Sequence, residues 1–182
     1  MGEITASGLS FEEIKEEHLN EVLDIYNYYV LNTTISFHTE PQTLPEMRQS
    51  VLSGDPRFKS YVILQNGGLE GYVLITRHKN KQAYDSSGEI SIYLKPGSGG
   101  RGLGGQALQF IEERAAELQF HVLVATVCAD NEPSRRLFTR YGYEQSALFK
   151  EIGHKFGRWL DIASYQKIIG HSSASKGLPA NR

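Results

Sequence analysis

Ile92-Tyr93-Leu94-Lys95-Pro96-Gly97-Ser98-Gly99-Gly100-Arg101-Gly102-Leu103-Gly104-Gly105 passes without interruption from a β-rich run, through glycines, into the first turn of a helical pattern. Strand, glycine loop and helix N-terminus in that order make a natural anion cradle. Glycines let successive N–H groups converge on a pyrophosphate, and the helix dipole adds partial positive charge. Arg101 can add a full charge. The loop lacks the Lys and hydroxyl of GxxxxGK[ST], so it is no P-loop. It also sits mid-chain after an antiparallel-looking meander, where a dinucleotide fingerprint would follow the first strand of a βαβ unit.

Upstream, Glu89 to Leu94 alternates Ile90, Ile92 and Leu94 with Glu89, Ser91 and Tyr93, the period of a two-faced strand. Lys59 to Gln65 and Leu69 to Arg77 are β-rich runs separated by Asn66-Gly67-Gly68, which predicts an antiparallel hairpin. Leu19, Val22, Leu23, Ile25, Tyr26, Tyr29 and Val30 recur at helical spacing and predict an amphipathic helix from Ile14 to about Leu31. Asn32 to Pro41 reads as loop with at most a short strand. Thr43 with Glu46 three residues on predicts a capped helix ending near Gly54. Downstream, Leu103, Ala107, Leu108, Ile111, Ala115 and Leu118 mark a long helix, and His121 to Cys128 reads as a buried strand. Asp130 or Asn131 can cap a further helix that ends at Gly142. Tyr143 to Lys150 and Trp159 to Lys167 read as strands around the turn-rich Gly153 to Arg158. The expectation is one α+β domain over residues 1–169, with a flexible Ser/Gly/Pro-rich tail over 170–182.

The 182 residues are 40% hydrophobic and 22% charged with a net charge of -2, a globular composition without the basic field that nucleic acid or anionic lipid would demand. The longest strongly apolar run, Val122 to Ala129, falls far short of the roughly 18 residues of a membrane span. Met1 to Ser10 lacks the basic and apolar regions of a signal peptide. Cys128 alone represents cysteine, which fits a reducing, cytoplasmic compartment. The six histidines show no metal-ligand spacing.

The loop Gly100-Arg101-Gly102-Leu103-Gly104-Gly105, with the later Asn131-Glu132-Pro133-Ser134-Arg135-Arg136-Leu137-Phe138, resembles the GNAT acyltransferase superfamily and its R/QxxGxG/A loop. Asp24 to Asn27, Thr39 to Thr43, Ala83-Tyr84-Asp85, Gly88 to Tyr93 and Lys155 to Asp161 resemble, more narrowly, the phosphinothricin and methionine sulfoximine N-acetyltransferases. The resemblance implies the GNAT fold, of the α/β three-layer kind. Its mixed, mostly antiparallel sheet carries helices on both faces, and two parallel strands, here Glu89 to Leu94 and His121 to Cys128, splay apart. Acetyl-CoA is the implied cofactor, bound by the backbones of Ile92, Tyr93 and Leu94, by Gly100, Arg101, Gly102, Leu103, Gly104 and Gly105, and by Asn131 and Ser134.

Glu89 is the implied base for a primary amine, and the backbone N–H of about Leu94 the implied donor to the thioester oxygen. Phe37 and Tyr84, with Glu89, are the implied substrate contacts for a small amino-acid-like acceptor, in a homodimer without metal, nucleic acid or membrane. Two positions depart from the family pattern. Gly99 stands where Arg or Gln is usual, and Phe138 where a Tyr or His is usual. Those departures motivate a non-catalytic acyl-CoA sensor as an alternative to the enzyme for a small acceptor, and an acetyltransferase for protein N-termini or lysines is a third reading.

Overall fold

The computed structural model describes residues 8–170. In chain order the elements are β1 (Leu9–Glu13), α1 (Leu19–Asn32), α2 (Leu44–Val51), β2 (Ser60–Gln65), β3 (Gly68–Arg77), β4 (Ser87–Leu94), α3 (Leu103–Glu117), β5 (Val122–Cys128), α4 (Glu132–Arg140), β6 (Glu144–Lys155) and β7 (Arg158–Ile168). The strands form a single seven-stranded sheet in the order β1-β2-β3-β4-β5-β7-β6. Every neighbouring pair is antiparallel except β4 and β5.

Alternation along the strands sorts the core into two layers. Val73, Ile75, Ile90, Leu123 and Ala125 face α3 and α4, where they meet Leu103, Leu108, Ile111 and Phe138. Val62, Tyr72 and Leu74 face the other way, against Val22 and Ile25 of α1 and Met47 of α2. Each such side chain removed from water contributes on the order of 1.5–3 kcal/mol before entropy is counted. The amphipathic helices therefore cover both faces, as the sheet's two-sided apolar pattern requires.

The β4–β5 pairing is short. Only Ser87, Gly88 and Glu89 register with Val122, Leu123 and Val124. β4 stays with β3 to the end, Leu94 opposite Gly71, while β5 stays with β7 to Cys128 opposite Ile162. The strands diverge beyond Glu89, which makes Glu89 the vertex of a fork.

The tight hairpin between β2 and β3 is present, with Asn66 and Gly67 both at positive φ (51° and 82°), the two-residue geometry that favours Asn-Gly. The Thr43–Glu46 capping box also forms, Thr43 N–H donating to Glu46 Oε2 at 2.7 Å. Two expectations are corrected, and one strand is new. The acidic stretch at Phe11 belongs to an edge strand, β1, registered with β2 from Leu9 opposite Gln65 to Glu13 opposite Tyr61. Consequently α1 begins at Leu19, after a 3-10 turn at Glu16–His18, and Ile14 still donates its N–H to Ser60 O at 2.8 Å. β6 continues through Gly153 to Lys155, so the β6–β7 turn shrinks to Phe156 and Gly157, both at positive φ. Asn32 to Gln42 contains no strand. Of the expected tail, Gly170 is described, its N–H donating to His121 O at 3.1 Å, and the rest lies outside the described residues.

Gly71 is needed for close approach, because a Cβ there would lie 2.5 Å from Tyr93 O and 3.0 Å from Leu94 Cα. Gly71→Ala is expected to destabilise the fold by about 1–3 kcal/mol, the usual cost of overpacking against a backbone that cannot yield, as measured by urea unfolding.

Candidate functional site

The phase of the β3–β4 ladder decides what the fork offers. Lys95 N–H donates to Glu70 O at 2.7 Å, so the hydrogen-bonded pairs are Tyr93 with Tyr72, Ser91 with Leu74 and Glu89 with Thr76. Ile90, Ile92 and Leu94 therefore turn their N–H and C=O groups the other way, toward β5. By the same logic Ala129 N–H, donating to Asp161 O at 2.9 Å, sets Thr126 and Cys128 to face β4. Beyond Glu89 these two edges look at each other across a gap. Such edges accept an extended chain carrying amides, as a sheet edge accepts a further strand.

At the far end of the gap the glycine loop bends into α3. Gly97, Gly100 and Gly102 all have positive φ, at 88°, 78° and 79°. Gly102 is the left-handed N-cap of α3 and no side chain caps that terminus, so the first-turn N–H groups at Leu103, Gly104 and Gly105 are available to an anion. A Cβ on Gly105 would lie 2.2 Å from Tyr141 Oη, so its bareness is what seats α3 against α4. Gly99, where the usual Arg or Gln is missing, has open space around it and no left-handed backbone.

Arg101 does not reach into the gap. Its guanidinium donates to Gln65 Oε1 at 3.0 Å and pairs with Glu70, which also accepts from the Ser98 hydroxyl. The Ser98 hydrogen bond, followed by the Arg101 contact, holds the Glu70 carboxyl below its ordinary range. At the start of α4, Asn131 and Ser134 cap one another: Ser134 N–H donates to Asn131 Oδ1 at 3.3 Å and Asn131 Nδ2 to Ser134 Oγ at 2.8 Å. Phe138 is buried against Tyr143 and Tyr165 and presents no polar atom.

The side chains of Glu89, Ser91 and Tyr93 project from the α1–α2 face of β4. Tyr93 packs edge-on to Tyr26 at 5.3 Å and stacks on Tyr72 at 5.2 Å, and burial pushes its phenol well up. Tyr29 donates its hydroxyl to Leu94 O at 2.6 Å, pinning the end of β4. Glu89 Oε2 lies 3.1 Å from His78 Nδ1, and the His78 ring meets Tyr84 edge-on at 5.9 Å. Glu89 and Tyr84 are thus joined through His78, a residue that no spacing in the sequence singles out.

Phe37 sits apart from them, its ring against Gly153 of β6, where a Cβ would come within 2.2 Å of Phe37 Cε2. Its loop is fastened by buried Lys155, whose Nζ donates to Ser36 O at 2.7 Å and whose amine burial pushes below the ordinary lysine range. A cavity of about 320 Å3 opens beside Thr76, the cross-strand partner of Glu89, with Gln49, Ser50, Ser53 and Asn80 among its walls. Among the described residues no three His, Cys, Asp or Glu side chains gather as metal ligands, and no helix is long and apolar enough to cross a membrane.

Glu70 gives a clean acid signature. Its folded-state affinity for protons is lowered, so its contribution to stability is complete above the unfolded carboxyl value of about 4.3 and is lost as pH falls through the folded value. Glu70→Gln is expected to flatten the fall of unfolding free energy below about pH 4.5 in urea titrations.

Comparison with known proteins agrees with this geometry. A model of the Acetyltransferase (GNAT) family matches residues 22–143. A phosphinothricin N-acetyltransferase of Streptomyces coelicolor is 35% identical over 158 residues, covering 85% of this chain and 92% of its own length. An L-methionine sulfoximine/L-methionine sulfone acetyltransferase of Pseudomonas paraeruginosa is 35% identical over 149 residues, 80% of this chain and 86% of its own. The crystal structure of a phosphinothricin acetyltransferase from Sinorhizobium meliloti in complex with acetyl-CoA superposes with a TM-score of 0.85 at 28% identity, covering 94% of both chains.

Proposed function

The chain belongs to the acetyltransferase (GNAT) family, and from that membership we propose that it acetylates the primary α-amine of a small amino-acid-like acceptor of the phosphinothricin or methionine sulfoximine and sulfone type. It is an acetyl-CoA-dependent N-acetyltransferase with the GNAT fold. The single observation that carries the reading is the fork, with a carboxylate at its vertex and two strand edges beyond it. Bound acetyl-CoA supplies a thioester carbonyl carbon as the electrophile.

The residues present fit that donor. The edges of Ile92 and Leu94, and of Thr126 and Cys128, suit the pantetheine amides, and the uncapped N–H groups of Leu103, Gly104 and Gly105 with the Gly100–Gly102 turn suit the pyrophosphate. The Tyr93 peptide fixes the phase, and Asn131 and Ser134 flank the same cleft from α4. Arg101, tied to Glu70, leaves anion binding to backbone amides. An extended strand rises about 3.3 Å per residue, which sets Ile92 N–H roughly 10 Å and Leu94 N–H roughly 17 Å along β4 from Glu89. We therefore assign the donor at the reacting carbonyl oxygen to Ile92 and place Leu94 further along the arm.

Glu89, directly or through one water, accepts the proton that the acceptor ammonium must lose before it attacks. Phe138 holds no proton to give, so the sulfur is protonated from solvent or from the acceptor nitrogen itself, and no covalent enzyme intermediate is needed. Tyr84 and Phe37 border the acceptor from two sides. Exposed Ile152, Phe156 and Trp159 on the β6–β7 hairpin support a homodimer, and the lone cysteine supports a cytoplasmic setting. The relatives described above are all acetyltransferases, which leaves the sensor alternative without support.

The test is free-thiol release with mass confirmation on a panel of methionine sulfoximine, methionine sulfone, phosphinothricin, common amino acids, polyamines and an N-terminal peptide. Acetylation of a sulfoximine, sulfone or phosphinate amino acid is expected. Acetyl-CoA binding by calorimetry without acetylation of any amino acid in the panel would overturn the small-acceptor reading. Glu89→Gln is expected to lower kcat/KM by about 10²–10⁴-fold while leaving acetyl-CoA affinity intact. An unchanged kcat/KM across pH removes Glu89 from the mechanism.

A further inference from the structure

A carboxylate that takes a proton works only if one of its oxygens is held where the proton leaves, and a glutamate with free χ angles does not stay there. Glu89 projects from the fork vertex, where its backbone is fixed on both sides: by the ladder to Thr76 and by the last register pair with Val124. Its side chain is held by one contact, Oε2 to His78 Nδ1 at 3.1 Å, in surroundings that leave the two side chains only 28% and 22% exposed. The His78 ring is itself oriented by an outside support, Tyr84 edge-on at 5.9 Å and 72°, and the Tyr84 ring carries Lys79 Nζ at 5.4 Å from its centroid. Thr76 Oγ1 donates to Glu89 O at 3.4 Å and so leaves the carboxylate to His78.

We propose that His78 is the positioning residue of the acetyl transfer: it donates Nδ1–H to Glu89 Oε2, fixes the carboxylate rotamer, and leaves Oε1 to accept the proton of the acceptor amine. This rests on the reading of Glu89 as the base. His78 touches no reacting atom and acts through Glu89. The Nδ1–H tautomer that the contact requires is the one a carboxylate partner imposes, as carboxylates do on histidines in hydrolytic triads. The proton balance is unchanged by it. The acceptor ammonium gives one proton to Glu89 Oε1, Glu89 returns it to solvent, the new N–C bond forms as the C–S bond breaks, and the sulfur takes the second proton from nitrogen.

The experiment is a double-mutant cycle on the most rapidly acetylated amine of the panel, joined to an imidazole nitrogen NMR spectrum of the resting protein. His78→Ala is expected to lower kcat about ten- to a hundredfold with KM for acetyl-CoA and Tm held. His78→Asn, whose amide can donate from nearly the same place, is expected to recover most of that loss. In a Glu89→Gln background the same His78→Ala change is expected to alter the rate by less than about twofold, because the group it positions is gone. The spectrum is expected to show a proton on His78 Nδ1. Normal kcat in His78→Ala, equal losses in both backgrounds, or a resting Nε2–H tautomer overturns the positioning role. If instead Glu89→Gln alone is fully active, the base assignment fails and the positioning role falls with it.

Discussion

Two parallel strands, each committed along its whole length to a different antiparallel partner, stay together only briefly. β4 keeps its ladder with β3 as far as Leu94 and β5 keeps its ladder with β7 as far as Cys128, yet on β4 only Ser87 to Glu89 register with β5. Everything that the site offers depends on that divergence. A closed sheet would satisfy the Ile92 and Leu94 edge with strand hydrogen bonds and leave nothing for a ligand. An isolated β4 edge would lack the opposing wall at Thr126 and Cys128. The fork supplies both walls without requiring a strained peptide, because the backbone groups that face the gap are the alternate ones that a ladder always turns away from its first partner.

The two ends of the fork are tuned by different means. At the α3 end what stands open toward the gap is N–H groups and the helix terminus, the nearby full charge of Arg101 being paired with Glu70 and Gln65. At the vertex the chemistry is ionic and local, a carboxylate held by an imidazole beneath an aromatic side wall. Tyr26, Tyr29, Tyr72 and Tyr93 line the α1 side of β4, and burial raises the pKa of each phenol, so they act as neutral aromatic walls, with Tyr29 also donating to Leu94 O. Lys155 reaches across from the last residue of β6 to Ser36 and fastens the loop between α1 and α2 that carries Phe37.

Local signals in the sequence were read well where the chemistry is local. Asn66-Gly67 fixes a hairpin, Thr43 with Glu46 fixes a helix start, and the alternation from Glu89 to Leu94 fixes a two-faced strand, each by backbone preference alone. β1 escaped because Glu13 stands where the alternation of Leu9 and Phe11 calls for an apolar residue, and an edge strand tolerates charges that a central strand would not. The length of the β6–β7 hairpin escaped for the opposite reason. Ile152, Phe156 and Trp159 are apolar yet exposed, so burial pattern gave no guide to where the strands stop.

Strand, glycine loop and helix N-terminus lie in one uninterrupted stretch, which is why they could be recognised together from composition and order, whereas the facing wall at Thr126 and Cys128 comes from a separate strand. Glu89 entered through family likeness, which puts the base at the start of the strand before the glycine loop. His78 lies eleven residues from Glu89. No periodicity joins them, because the contact is made across an antiparallel pair and through the excursion that carries Tyr84. The amino-acid sequence determined the central strands, the loop that can hold an anion and the helix that follows it, since those are consequences of local preference and nearest neighbours. The tertiary structure alone decided where the strands part, that Arg101 turns to Glu70, and that His78 grips Glu89, since each of these follows from which distant chain segment occupies the adjoining space.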